Sequence, residues 1–255
     1  MQAAGQRTLD DIRIGRDHRV RSAANRMLAL LVLAAGMLQG CATNTTPVPQ
    51  PSATPAIPVT LIESPEPLKL SIMMTEHPEA SGGFESVMIF VGKMSAFGTA
   101  LTQATQPLDF RPGAALTSAL AADLSRAGKA PTRIAAGAKE RRALLDDYQA
   151  IAAPAGVVID VVPLAVGYWN KFPDGPFRPW VVVAFREYDP VQRKVVTTGR
   201  IGTGPSIDSD PMIAVPDDDR FAFASFDALT ADPRKAVAGM QAVIQRVAQA
   251  LSNKL

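Results

Sequence analysis

Chemistry in this 255-residue chain has to come from side chains that attack, carry a proton or hold a metal, and two of those types are scarce. There is one cysteine, Cys41, and there are two histidines, His18 and His77. Zinc sites gather three or four Cys and His ligands at short spacings, and no such spacing is present. A structural disulfide within the chain is impossible. A Ser-His-Asp arrangement would have to use His77, in Glu76-His77-Pro78-Glu79, and no Gly-x-Ser-x-Gly accompanies it. Gly202-Thr203-Gly204-Pro205 is too short for a phosphate loop. Carboxylates are more plentiful: Asp208, Asp210 and the run Asp217-Asp218-Asp219 fall in one long loop, 202–229. Clustered carboxylates can hold calcium, but the register of an EF-hand loop is missing and Arg220 sits against the run. They read as a solvated acidic loop. No cofactor and no metal is expected. Paired carboxylates for glycan cleavage leave no spacing signature, so that alternative stays open.

The second concentration of useful side chains is aromatic. Seven of the fifteen aromatic residues fall between Tyr168 and Tyr188. Trp169, Phe172, Phe177 and Trp180 flank a turn bearing Asn170, Asp174 and Arg178. Rings offer large contact area at low entropic cost, so these four are the candidate residues for a partner or ligand. The plainer reading is that Trp169 and Trp180 pair across a hairpin and close the core, leaving Phe172 and Phe177 as the exposed rings.

The elements that must position these residues follow from hydrophobic period. Alternation predicts a strand at 68–73, and a continuous apolar run predicts a buried strand at 86–91. Pro112 opens a helix with Leu116, Leu120 and Leu124 on one stripe and Gly128 as its stop. A short strand at 131–135 leads to a second helix at 138–153, with Leu144, Leu145, Tyr148 and Ile151 turned inward. Three strands follow, 157–169, 180–185 and 195–201, joined by connections too short for parallel crossovers. A last helix spans 232–253, capped by Asp232 and faced by Val237, Met240, Val243, Ile244, Val247 and Leu251. Phe221, Phe223 and Phe226 alternate just before it, placed to clasp it. The fold class expected is α+β: a mixed, mostly antiparallel sheet of about five or six strands with three helices packed on it.

Charge narrows the partners. The whole chain carries +2, but residues 1–40 hold six Arg and three Asp. From Cys41 onward 20 basic and 21 acidic residues remain, close to neutral. The basic face needed to neutralise phosphates is missing, so nucleic acid is not an expected partner.

Residues 27–38 form twelve apolar positions without a charge, preceded by Arg21 and Arg26. That is shorter than the roughly 20 residues a membrane-spanning helix needs and matches the core of a signal peptide. Leu38-Gln39-Gly40-Cys41 follows, and it resembles the lipobox of bacterial lipoproteins; Gln39 departs mildly from the usual Ala or Ser. The resemblance implies that the Cys41 thiol receives diacylglycerol, that the chain is cut before it, and that the new amine takes a further, palmitate-class acyl chain. Stable membrane attachment takes two acyl signals, a condition this pattern meets. Ala42, where inner-membrane lipoproteins commonly carry Asp, implies the periplasmic face of the outer membrane. The element order over 110–255 also loosely resembles small α/β domains of periplasmic lipoproteins: the TolB N-terminal domain, the curli secretion lipoprotein and transport-associated auxiliary lipoproteins.

The domain plan is thus a leader and signal peptide at 1–40, a lipidated Cys41 with a Pro/Thr-rich tether at 41–67, and one periplasmic domain at 68–255. Seven prolines between Pro47 and Pro67 favour extended backbone, with a reach of ~80 Å. The expected function is a non-enzymatic accessory or assembly subunit, membrane-bound through Cys41, that binds another envelope protein. A carrier for a small ligand, lipid or glycan is the alternative from another class, and a carboxylate-based cell-wall hydrolase is a third. Residues 1–19 are long and mixed in charge for a signal peptide, so translation is expected to start near Val20. N-terminal sequencing of the unprocessed precursor checks this: recovery of residues 1–19 refutes it.

Overall fold

The structure is a computed structural model that describes residues 55–74, 84–135, 143–149, 151, 156–171, 175–208 and 210–255; for 84–86 it describes the backbone alone. The signal segment, Cys41, His77 and Phe172 lie outside the described residues. Residues 55–255 form one compact unit.

The unit is α+β, a mixed seven-stranded sheet with helices on one face. Its strands are β1 (Ile57–Ile62), β2 (Ser71–Met74), β3 (Lys129–Ile134), β4 (Val157–Asn170), β5 (Phe177–Asp189), β6 (Lys194–Gly202) and β7 (Ile213–Ala214). Its helices are α1 (Phe84–Thr105), α2 (Pro112–Arg126), α3 (Phe226–Ala231) and α4 (Pro233–Ser252). The order across the sheet is β3-β1-β4-β5-β6-β7, and β2 pairs with β4 beside β1. The long pairings, β4–β5 and β5–β6, are antiparallel, as their short connections require. The shorter pairings of β1, β2, β3 and β7 are parallel.

Three expectations are corrected. The folded unit begins at Pro55 rather than Leu68, because β1 sits inside the segment assigned to the tether. The run Val59-Thr60-Leu61-Ile62 is fully apolar or β-branched, and its neighbouring prolines hid it; Pro58 falls at the strand's start, where a missing N–H is tolerated. The strand expected at 86–91 is helical. Its apolar run continues as Phe90, Met94, Phe97 and Leu101, a helical stripe packed on the core, and a short apolar run alone does not reveal its period. The helix expected at 138–153 is absent from its described residues, 143–149 and 151, which form bends and a turn. Leu145 and Tyr148 still turn inward there.

One local irregularity decides which side chains reach the helices. Along β5, Phe177, Val181, Val183 and Phe185 all face the main core. On β4 the parity changes: Ile159 and Val161 face it first, then Val166 and Tyr168. The β-bulge between Pro163 and Ala165 makes the switch by inserting one unpaired residue.

α4 closes the helical face. Asp232 caps it by accepting from Lys235 N (3.0 Å), and Pro233 fills the first helical position. Val237, Met240, Val243, Ile244, Val247 and Leu251 are buried, each contributing about 1.5–3 kcal/mol. Gly239 lets the helix approach β4: a methyl there would stand 2.5 Å from Tyr168 Oη and 2.8 Å from Phe221 Cβ. The Tyr168 hydroxyl donates to Ala236 O (3.1 Å), and its ring meets Phe223 edge-on. At the other end of the helical layer, Gly128 (φ 79°) ends α2, and the Glu66 carboxylate accepts from the backbone N–H groups of Gly113 and Ala114 at its start.

Replacing Gly239 with Ala is expected to cost about 1–3 kcal/mol by overpacking against Tyr168 and Phe221. Tyr168→Phe is expected to cost about 0.5–1.5 kcal/mol. Urea unfolding of both variants checks the order.

Candidate functional site

The aromatic candidates are packed into the core. Phe177 is 5% exposed and lies under α3, with its ring edge-on to Phe226. The expectation that it is an exposed ring is therefore corrected: the parity of β5 turns it to the helical face. Trp169 (7%) and Trp180 (5%) sit on the opposite face with Met73, Leu164, Ala165, Val182 and Met212. Gly167 pairs with Trp180 and Trp169 with Arg178, so the two indoles are diagonal neighbours on one face, the packing reading of the sequence. Trp180 Nε1 donates to Pro205 O (3.0 Å), while Trp169 Nε1 is buried without a hydrogen-bond partner.

The carboxylates of the acidic loop face solvent except at Asp218, and the exposed ones are paired with neighbouring groups. Asp217 Oδ1 accepts from Gly204 N (3.2 Å), and Asp219 pairs with Arg178 on β5. Asp208 and Asp210 both pair with Arg200 on β6. Asp218 caps a 3-10 turn, Asp219–Phe221, and its carboxylate takes two bonds from the Arg220 guanidinium (2.9 and 2.7 Å). Those bonds, helped by the Arg220 N–H and by Arg246, hold its pKa down at about 2. Among the described residues no group of three or more His, Cys, Asp or Glu comes together in a metal-holding arrangement.

A second buried polar cluster lies beneath residues 143–149. Asp160 is fully buried, and its Oδ2 accepts from Leu145 N and the Tyr148 hydroxyl, both at 2.8 Å. Arg186, opposite it on β5, donates to Leu145 O (2.8 Å). Burial first, and then the bond to Asp160, push the Tyr148 hydroxyl well above the ordinary tyrosine range. The cluster pins an irregular segment to the sheet by satisfying its backbone groups. Its sequence signal was a lone Asp within Val157-Val158-Ile159-Asp160-Val161-Val162.

An open concavity of about 810 Å³ lies between α2 and α4. Small side chains create it: Ala115, Ala119 and Ala122 on α2 face Ala242 on α4. Arg126, Arg220 and Arg246 come to it from three separate elements, and Gln241, Gln245 and Gln249 rise along α4 at one-turn spacing. Arg126 pairs with the buried Asp123, and Arg220 with Asp218. Arg246 stands 3.9 Å from Asp218 Oδ2 and donates through Nη1 to Asp217 O at 3.5 Å, but its Nε and Nη2 are buried with no hydrogen-bond partner. Chemically the groove offers guanidinium donors, amides and small apolar surface. The sequence did not single it out, because Arg246 among three glutamines reads as a solvated helix face.

No family model and no curated protein matches the chain. Solved structures do resemble it in outline. Protein XCC0632 from Xanthomonas campestris superposes with a TM-score of 0.38 at 8% identity, covering 80% of this chain and 87% of that one. The PelC dodecamer subunit from Paraburkholderia phytofirmans gives 0.29 at 16% identity, over 78% and 91%. The LpoB C-terminal domain from Salmonella enterica gives 0.16 at 10% identity, over 61% and 89%. Superpositions this loose carry no functional meaning for this chain.

Asp218 generates a pH prediction. Its pKa is lower folded than unfolded, so its contribution to stability is complete above about pH 4 and declines as pH falls from about 4 toward 2. Asp218→Asn is expected to lower stability at pH 7 and to flatten the acid limb over that window, read from thermal unfolding at stepped pH.

Proposed function

We propose that this chain is a lipid-anchored accessory subunit of the cell envelope, attached through Cys41, whose folded unit docks another envelope protein without catalysing a reaction. The lipobox resemblance at Leu38-Gln39-Gly40-Cys41 supports the anchor. None of the described helices is long and apolar enough to cross a membrane. The docking part rests on one observation: Val87, Met88, Ile89 and Val91 on α1 are all exposed, Ile89 by 66%. Contiguous exposed apolar side chains on one element mark an interaction surface. That face was read as a buried strand in the sequence, so its helical exposure supplies a contact surface in place of the buried ring of Phe177.

The tether implied by β1 is shorter than the composition suggested. From Cys41 to Pro55 the chain can span at most ~50 Å, which keeps the folded unit near the bilayer.

Replacing Cys41 with Ser tests the anchor, with the expected result that the chain leaves the membrane fraction or accumulates as uncleaved precursor. Crosslinking in whole cells from position 89 tests the docking, and a discrete protein adduct lost on Ile89→Asp is the expected result. A chain that stays monomeric, forms no adduct and purifies with a bound small molecule sinks the accessory reading in favour of a carrier.

A further inference from the structure

We infer that the outer edge of β6 pairs with the same edge of a second copy of this chain, antiparallel about Thr198. The inference goes beyond the accessory-subunit reading and does not rest on it.

The first observation is an open row of backbone groups. Thr203 N donates to Val181 O (2.9 Å), which sets the phase of the β5–β6 ladder. Bonded and non-bonded pairs alternate in an antiparallel ladder, so Val183–Ile201, Phe185–Gly199 and Glu187–Thr197 are the bonded ones. Thr198, Arg200 and Gly202 therefore turn their N–H and C=O groups away from β5. Gly202 O obeys this phase, accepting from Val215 N (2.7 Å) on the β7 side. β7 meets β6 only at Ile201 and Gly202, so from Val195 to Arg200 the outer edge has no strand beside it. That stretch holds no proline, and Val195, Val196, Thr197 and Thr198 are all β-branched. An edge of this kind is a template for another strand.

The second observation is that the edge is complementary to itself, which selects the occupant. At the turn end, Arg193 and Lys194 are exposed beside Asp189, two cations against one carboxylate. At the other end Asp208 and Asp210 both pair with Arg200, two carboxylates against one cation. An antiparallel twofold brings the turn end of each copy to the opposite end of the other, so unlike charges meet twice. Parallel pairing of the two edges would set like ends together. Exposed apolar side chains follow the same plan: Val191, Val195 and Val196 stand at the turn end, Ile207 and Ile213 at the other. One symmetry operation covers both sets.

The third observation is register. Thr198 is exposed and lies near the middle of the open stretch. Setting it against Thr198 of the copy places Arg200 opposite Val196 and ends the pairing where β7 begins. α1 packs on β2, which β4 and β5 separate from β6, so its exposed face stays free for a partner.

Sedimentation equilibrium of the full chain in detergent is expected to show a monomer–dimer equilibrium. Thr198→Cys is expected to form a disulfide-linked dimer under copper-phenanthroline oxidation. Bonded partners in an antiparallel ladder stand about 5.5 Å apart at Cα, inside disulfide range. Val191→Cys is equally accessible but should not crosslink, because the twofold holds its two copies roughly 40 Å apart. Lys194→Glu and Asp210→Lys, both on the surface, are each expected to weaken the dimer about tenfold, since every contact occurs twice, and the double variant to recover it. Thermal unfolding of the same proteins reads that each is folded. A chain that stays monomeric at every concentration, crosslinking from Val191→Cys as readily as from Thr198→Cys, or a double variant no tighter than the single ones each overturns the inference. So does a Thr198→Cys adduct to a different protein in whole cells.

Discussion

The fold depends on a single constraint: β4 and β5 are apolar on both faces and cannot be left open to water on either. Val158, Val162, Trp169, Trp180 and Val182 line one side, while Ile159, Val161, Tyr168, Val181 and Phe185 line the other. A sheet of this kind needs two covers. Helices supply the first, and irregular chain at 143–149, 151, 205–208 and 210–212 supplies the second. The two covers obey different rules. Helices satisfy their own backbone groups, so they need only an apolar stripe and caps. Irregular chain has backbone N–H and C=O groups to satisfy, and polar side chains on the sheet must do it.

That difference explains where the buried charges are. Asp160 and Arg186 sit on the face covered by irregular chain and take Leu145 N, Leu145 O and the Tyr148 hydroxyl as partners. Asp217, Asp218 and Asp219 do similar work at the edge near β6, tying Gly204, Arg220 and Arg178. Acidic residues that look surplus in one dimension are thereby consumed by structure. The guanidinium groups are consumed with them: Arg178 pairs with Asp219, and Arg220 and Arg246 both lie against Asp218.

Legibility followed from how local each signal was. α2 and α4 were read almost to the residue, because Pro, Gly and Asp punctuation brackets a strong 3.6-residue stripe. The β4–β5–β6 meander was legible from apolar runs and the Asp189-Pro190 turn, where Asp189 Oδ1 accepts from Val191 and Gln192 N–H groups. β1 was missed because proline around it masked six strand residues. α1 was misread because Val87 to Val91 is apolar throughout, and only the later Met94, Phe97 and Leu101 disclose the helical period. Trp169 and Trp180 share one face of the sheet and Phe177 lies on the other, a division set by strand parity and by a bulge that leaves no reliable mark in sequence.

Composition and spacing alone determined the α+β class, the meander, the capped last helix and the near-neutral charge from Cys41 onward, and the lipobox resemblance added the expectation of a lipid anchor. These are properties of contiguous residues, where period, punctuation and charge act within a few positions. Tertiary structure alone decided that Phe177 is buried, that Asp218 is buried against Arg220, that Val87, Met88, Ile89 and Val91 face solvent, and that Arg126, Arg220 and Arg246 meet at one groove. Those depend on residues up to 120 positions apart being brought together. Such meetings are set by strand register and by how closely α4 can approach through Gly239, and neither is written in any local stretch of the chain.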